Sequence, residues 1–199
     1  MLTEDVGDGA APDLMSQIRE RAADARVWRP LVLPCLHTNS GQPNLDSLAA
    51  TIAKLNDPNL ITTFHYYGRW PFSVNIVGYT KFNAASVGDI VQGFDAVYNT
   101  FVAKGIPAIV GEFGSLAPSH VERGELLKYH EYVTHYSRQK RIARMYWDTG
   151  GLIDRTTYQV RDPDLQATLM QTVKGRATTA DTDVIFLDGG GGLLAAGSR

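Results

Sequence analysis

Several side chains that could take part in catalysis follow short apolar runs of the sequence. Glu112 follows the apolar run at residues 108–111. His65 and Tyr67 stand at the end of a second run, and Trp147 ends a third. A buried carboxylate needs either a partner or a task, because burial without one is costly. Such a group can act as a nucleophile or as a general acid or base, whereas an arginine partner would give it a structural role.

His65 and Tyr67 are two residues apart in a segment with the pattern of a strand. Side chains at this spacing lie on the same side of a strand, so an imidazole and a phenol could hydrogen-bond one substrate or one carboxylate. Trp147 offers a flat apolar face that suits stacking on a sugar, although core packing is the commoner use of tryptophan. Trp70 and Asn39 lie in loops after two of the runs and could make further substrate contacts.

Glu112 differs from the other glutamates of the chain in its position. The chain contains six glutamates, and the other five lie in the N-terminal segment or on predicted helices. Only Glu112 follows a buried run. The sequence therefore indicates Glu112 as the carboxylate most suited to a catalytic role.

The runs that precede these side chains alternate with segments of helical periodicity. This alternation predicts an α/β fold with a parallel sheet and right-handed crossovers. In such folds ligands bind at the carboxyl ends of the strands, where the candidate residues lie. The predicted strands span residues 29–37, 60–65, 107–112 and 142–147, the predicted helices span 13–25, 45–55, 87–104, 122–139 and 163–174, and an aromatic loop spans 66–86.

Composition excludes several classes of protein. The chain has 199 residues and a net charge of −2, so it lacks the basic excess that favours nucleic acid or an acidic membrane. Cys35 is the only cysteine, which excludes an intrachain disulfide. The N-terminus lacks the pattern of a secretory signal, so the chain expressed alone is expected in the cytoplasm. Residues 1–12 are predicted to be a flexible lead-in, and the glycine-rich end of the chain a disordered tail.

The order and spacing of three motifs resemble glycoside hydrolase family 5, the retaining endoglucanases built on a (β/α)8 TIM barrel. The motifs are residues 65–67 (HYY), 109–114 (IVGEFG) and 145–148 (MYWD). The resemblance covers residues 13–175. It implies the second half of such a barrel, with the four predicted strands as its fifth to eighth.

The resemblance also implies roles for single residues. Glu112 would be the nucleophile of a cellulase-type hydrolase, and His65 and Tyr67 would contact the substrate and orient that nucleophile. Trp147 would support the sugar next to the cleaved bond. The substrate would be a β-glucan or related polysaccharide, with no cofactor and no metal, and the full-length enzyme would be secreted. Residues 176–199 would begin an appended β module and end in the tail.

The sequence departs from the family pattern at the acid/base residue, which is a glutamate that follows an asparagine. No Asn–Glu pair occurs in this chain. Retaining hydrolysis uses two carboxyl groups, and a whole barrel has about 250 residues. We therefore expect a truncated or split-gene product that is inactive or strongly impaired alone. The open edges of half a barrel predict that it aggregates, dimerises or needs a complementary N-terminal half.

Two other interpretations remain open at this point. The chain could be a non-catalytic remnant that still binds glycan through Trp147, Trp70 and its tyrosines. Alternatively, four polar residues at strand ends could together hold a divalent metal, since zinc and manganese accept such ligands. These four residues are His37, His65, Glu112 and Asp148.

Overall fold

Strands and helices alternate along the part of the chain that the structure describes. The computed structural model describes residues 30–73, 78–116 and 121–173. The predicted lead-in, the predicted helix at 13–25 and the predicted β module lie outside these residues. The elements are β1 (Leu31–Pro34), a 3₁₀ turn (Leu36–Thr38), α1 (Gln42–Leu55), β2 (Leu60–Tyr66), α2 (Trp70–Ser73), α3 (Ala84–Thr100), a second 3₁₀ turn (Val102–Lys104), β3 (Ala108–Phe113), α4 (Arg123–Gln139), β4 (Ala143–Tyr146) and α5 (Pro163–Val173).

The four strands form one parallel sheet in the order β1-β2-β3-β4. This confirms the predicted parallel α/β arrangement. Each strand lies beside its neighbour in sequence, so the residues after all four strands come to one edge of the sheet. We call this edge, where the chain leaves β1 to β4, the carboxyl edge.

One face of the sheet packs against the helices. Phe64 and Tyr66 on β2 place their rings 5.4 and 5.3 Å from the ring of Phe94 on α3. Val110 and Phe113 on β3 are buried on the same face. Interdigitated aromatic rings of this kind bury large apolar areas, so this face forms the core that holds β2 and β3 in register.

The opposite face of the sheet carries apolar side chains that stay exposed. The strand register places Val32, Ile61 and Ile109 on this face. Val32 is 49% exposed, and Met145 on β4 is 58% exposed. In the described part of the chain, β1 and β4 are also edge strands. This open apolar face agrees with the expectation for four strands of a barrel, in which this side would line the interior.

Local residue chemistry explains where α3 begins and where the chain turns after it. The side chain of Asn83 accepts hydrogen bonds from the backbone N–H groups of Ala85 and Ser86, which is a favourable N-cap. Gly105 has a φ of 85°, the left-handed conformation for which glycine is best suited. Gly105 follows the predicted helix at 87–104, where the sequence predicts a C-cap glycine, and its conformation agrees with that expectation.

Three details differ from the sequence-based expectations. The first strand is shorter than residues 29–37, because the chain turns at a 3₁₀ segment in which His37 has a φ of 53°. The aromatic loop at 66–86 contains the short helix α2, in which Phe72 packs 5.7 Å from the ring of Tyr129. The sequence predicts His130 on the surface of the helix at 122–139, whereas the structure buries it on α4. No helix within the described residues is both long and apolar enough to span a bilayer.

Candidate active site

Glu112 is held at the carboxyl edge by two side chains from β2 and the loop after it. The Tyr67 hydroxyl donates a hydrogen bond of 2.5 Å to Glu112 Oε2. His65 Nδ1 lies 3.3 Å from the same oxygen. The sequence-predicted trio of His65, Tyr67 and Glu112 is therefore brought together, although the catalytic roles of these residues remain predictions.

Both neighbours contact Oε2, and no described residue hydrogen-bonds Oε1. Burial, followed by the hydrogen bond and negative charge of Glu112, raises the pKa of Tyr67 well above its usual value. The phenol therefore remains a donor across the neutral range. This arrangement holds the carboxylate by one oxygen and leaves the other without a hydrogen-bond partner among the described residues.

A bulge in β3 turns Glu112 toward these partners. Phe64 pairs with Val110 and His65 pairs with Glu112, so Gly111 is an extra residue in β3. A Cβ on Gly111 would lie 2.6 Å from Thr63 Oγ1, a distance at which one of the two groups must shift. Glycine at this position therefore fits beside Thr63 without displacing it, and the bulge sets the direction of Glu112.

Trp147 stands beside this group at the end of β4. Its backbone N–H donates to the Phe113 carbonyl at 3.0 Å, which continues the β3–β4 pairing past Tyr146. The ring of Trp147 is 51% exposed. An exposed flat ring at this edge can stack on a sugar, as predicted for it.

Tyr129 on α4 contacts both the loop after β2 and the chain directly after β3. Its buried hydroxyl donates to the Gly114 carbonyl at 2.9 Å, just after β3. A Cβ on Gly68, whose φ is 76°, would come within 3.0 Å of the Tyr129 ring. The loop that carries Tyr67 and the chain directly after β3, the strand of Glu112, therefore both contact one buried side chain.

The Asp148 carboxylate accepts hydrogen bonds from the backbone of its own loop. The donors are the N–H groups of Gly150, Leu152 and Ile153, at 2.9–3.0 Å. Although burial opposes the effect, these N–H donors lower the pKa of Asp148. A carboxylate occupied in this way is poorly suited to donate a proton or to bind a metal. Within the described residues, no group of three or more His, Cys, Asp or Glu side chains could hold a metal ion.

Asn39 and Trp70 are not brought to Glu112 by any hydrogen bond or ring contact of the described residues. Asn39 Oδ1 accepts a hydrogen bond of 2.5 Å from the Gly41 N–H and so shapes its own loop. Trp70 on α2 is largely exposed. Their substrate contacts remain predictions.

Two supporting residues were not singled out from the sequence. The role of Gly111 could have been predicted, because an isolated glycine within a strand pattern suggests a bulge. Tyr129 lies at helical spacing from Leu126 and Val133, which indicates burial but gives no sign of the bond to Gly114.

Comparison with known proteins identifies the family. Residues 11–152 match the model of the cellulases, described as glycosyl hydrolase family 5. The chain belongs to this family. The family 5 chain is 48% identical over 166 residues to Endoglucanase B of Paenibacillus lautus, which covers 81% of the chain and 29% of that relative. It is 33% identical over 149 residues to Endoglucanase A of Clostridium longisporum, covering 64% of the chain and 27% of that relative.

Solved structures show the same relationship. A full-length tri-modular endo-β-1,4-glucanase B from Bacillus halodurans matches with a TM-score of 0.71 and 47% identity, covering 74% of the chain and 28% of that protein. A trimodular endoglucanase of family 5, subfamily 4, matches with a TM-score of 0.74 and 37% identity, covering 88% and 36%. The family 5 chain thus spans less than a third of either curated relative. Its four strands and flanking helices are part of a (β/α)8 barrel.

Proposed function

We propose that this chain carries the nucleophile half of a retaining β-1,4-glucan hydrolase, with Glu112 as the nucleophile. The observation that supports this is the pair of contacts on Glu112 Oε2, from Tyr67 and His65, which leaves Oε1 without a partner among the described residues. Positioned carboxylates with one free oxygen suit covalent catalysis. Membership of the cellulase family supports the same class of reaction.

In the proposed first step, Glu112 Oε1 attacks the anomeric carbon of a glucan. The bond from that carbon to the leaving oxygen breaks, and a glycosyl ester forms on Glu112. Trp147 would support the sugar that is attacked. Water then cleaves the ester and restores the carboxylate, so that the overall reaction is hydrolysis with retention.

Turnover of a natural glucan also needs a proton for the leaving oxygen. The second carboxyl group of a retaining enzyme lies about 5–5.5 Å from the nucleophile. Asp148 follows β4 but is held by three backbone N–H groups. We propose that the acid/base carboxyl comes from outside the described residues, with further strands completing the barrel at the edges of β1 and β4, either from a complementary half or from a second copy.

Covalent trapping tests the proposal without the acid/base group. The intact chain is incubated with 2,4-dinitrophenyl 2-deoxy-2-fluoro-β-cellobioside, whose leaving group departs without a proton. The fluorine slows the second step, so the ester accumulates. We expect the intact mass to rise by one fluorocellobiosyl group, and peptide mapping to place the label on Glu112.

Two variants serve as controls for trapping. Glu112→Gln is expected to remain unlabelled, whereas Glu122→Gln, a change at an exposed glutamate, is expected to be labelled like the native chain. A label on another residue, or no label on protein that circular dichroism shows to be folded, would contradict the proposed nucleophile.

Glycan binding without turnover is the second candidate function. It is favoured by the exposed ring of Trp147 together with the commitment of Asp148 to its own loop. Cello-oligosaccharide binding by a folded chain that gives no covalent label would support this candidate.

The Tyr67 hydroxyl offers a further prediction. Tyr67→Phe removes the donor to Glu112 Oε2 but keeps the ring, so the carboxylate loses one of its two fixed contacts. A hydrogen bond to a charged group is worth enough that the trapping rate should fall about 10–100-fold. The measurement is the rate constant of labelling by mass spectrometry, with Tyr79→Phe, an exposed tyrosine, as the matched control. Equal rates for Tyr67→Phe and the native chain would show that the bond is not used.

A further inference from the structure

The segment between β4 and α5 folds into a small hairpin. Ile153 and Val160 form an antiparallel bridge within it. The Asp154 N–H donates to the Gln159 carbonyl, and the Tyr158 N–H donates to the Asp154 carbonyl, both at 2.8 Å. We call residues 149–162 the β4 hairpin. Its backbone is fixed by its own hydrogen bonds.

The carboxylates of two aspartates accept hydrogen bonds from the backbone of the β4 hairpin. Asp148 binds three N–H groups at its base. Asp154 accepts hydrogen bonds of 2.8 Å from the N–H groups of Thr156 and Thr157 near its tip. The Arg161 guanidinium also bonds to the Asp154 carboxylate. These bonds fix the course of the backbone at the tip.

Tyr158 lies at this tip in an unfavourable backbone conformation. Its φ is 58°, in the left-handed region that glycine and asparagine adopt more easily. Its side chain is 80% exposed, and among the described residues its ring packs against no other ring. The strain is therefore not offset by burial of the ring. Strained positions that persist on a rigid support point to function.

The hairpin begins directly beside the candidate active site. It begins two residues after Trp147, so Trp147 and Tyr158, which are both exposed, lie on the stretch of chain that leaves β4 at the carboxyl edge. Flat aromatic rings stack on the apolar faces of pyranose sugars, and tyrosine adds a polar hydroxyl at its edge. We propose that Tyr158 is a stacking platform for a glucose unit of a longer β-glucan, beyond the unit supported by Trp147. The inference rests on the proposed glucan substrate.

The proposal predicts a dependence on oligosaccharide length. Tyr158→Gly and Tyr158→Asn remove the ring and relieve the backbone, so neither change should lower the melting temperature. Both variants should bind cellohexaose about tenfold more weakly than the native chain, as expected for the loss of one stacked ring. They should bind cellobiose as the native chain does, and Tyr158→Phe should bind both ligands normally.

Isothermal titration calorimetry with the intact chain measures these affinities, with chromatography to check that the sugars remain uncleaved. Arg141→Gly is the matched control, because Arg141 has a φ of 54° and is exposed at the opposite edge of the sheet, before β4. It should leave both affinities unchanged. Equal cellohexaose affinities for the native chain and Tyr158→Gly would overturn the proposed stacking role of Tyr158 but not the proposed glucan substrate. A native chain that binds no cello-oligosaccharide would overturn the proposed glucan substrate and, with it, the platform.

Discussion

Replacing Glu112 with alanine is expected to reduce release of dinitrophenolate from 2,4-dinitrophenyl β-cellobioside by roughly 10⁴–10⁶-fold, the scale found when a covalent nucleophile is removed. The leaving group needs no proton, so its release in the first turnover reports the attack by the proposed nucleophile. The substitution leaves a space where Oε1 and Oε2 stood, beside His65 and Tyr67. Azide is small enough to enter that space.

Azide should therefore restore release in Glu112→Ala and give an α-cellobiosyl azide, because it attacks from the face that the carboxylate used and displaces dinitrophenolate directly. In the native chain, azide would instead attack the glycosyl ester and give the β product. The absorbance of dinitrophenolate and the configuration of the azide product by NMR measure both effects. Glu122→Ala, at an exposed glutamate, is the matched control and should keep the native rate. A native rate in Glu112→Ala would place the nucleophile elsewhere.

Acidification between pH 6.5 and 4 is expected to destabilise the fold through His130. The ring is buried between Tyr129, Phe113 and Tyr146. Its Nδ1–H donates to the Leu126 carbonyl at 2.8 Å, and its Nε2 has no partner among the described residues. Burial first, and then the charge of Arg123, lower the pKa of His130 to about 4.

The sign of the effect follows from these two pKa values. As the pH falls below 6.5, the unfolded chain binds a proton at His130 before the folded chain does. Stability is therefore complete above pH 6.5 and is lost as the pH falls toward 4, by roughly 3 kcal/mol. Asp148 and Asp162 have pKa values lowered from 3.8 in the fold, so their contributions disappear at still lower pH.

Urea unfolding at several pH values measures this loss. His130→Leu keeps an apolar group of similar size in place of the ring and removes the titration. The difference in unfolding free energy between the native chain and His130→Leu should fall steadily from pH 6.5 to 4 and then level off. A difference that is constant over this range would show that His130 does not titrate as its burial implies.

The sequence was sufficient to predict the parallel sheet and the meeting of His65, Tyr67 and Glu112 at its carboxyl edge. The apolar runs before His65 and Glu112 are short and bounded by turn residues, and they alternate with clear helical periodicity. Because all parallel strands end at one edge, residues far apart in the chain could be expected to meet there. The two-residue spacing of His65 and Tyr67 then placed both on one side.

The remaining details depend on contacts that spacing does not reveal. Simple alternation from Ile109 would turn Glu112 toward the helices, and only the extra residue Gly111 reverses this. Asp148 follows a strand as Glu112 does, yet its oxygens are taken by N–H groups of a loop whose shape the sequence did not show. His130 lies on the buried side of α4. Its helical spacing from Leu126 indicates burial, but histidine is polar and is therefore predicted at the surface.

Glu112, the proposed nucleophile, and both residues that contact it lie within one continuous stretch of chain. β2 carries His65, β3 carries Glu112, Tyr67 follows β2, and α3 connects the two strands and packs against β2. Residues 60–113 are thus a single β–α–β unit with the complete carboxylate arrangement. A transfer of this unit to another barrel would carry both contacts on Glu112 with it.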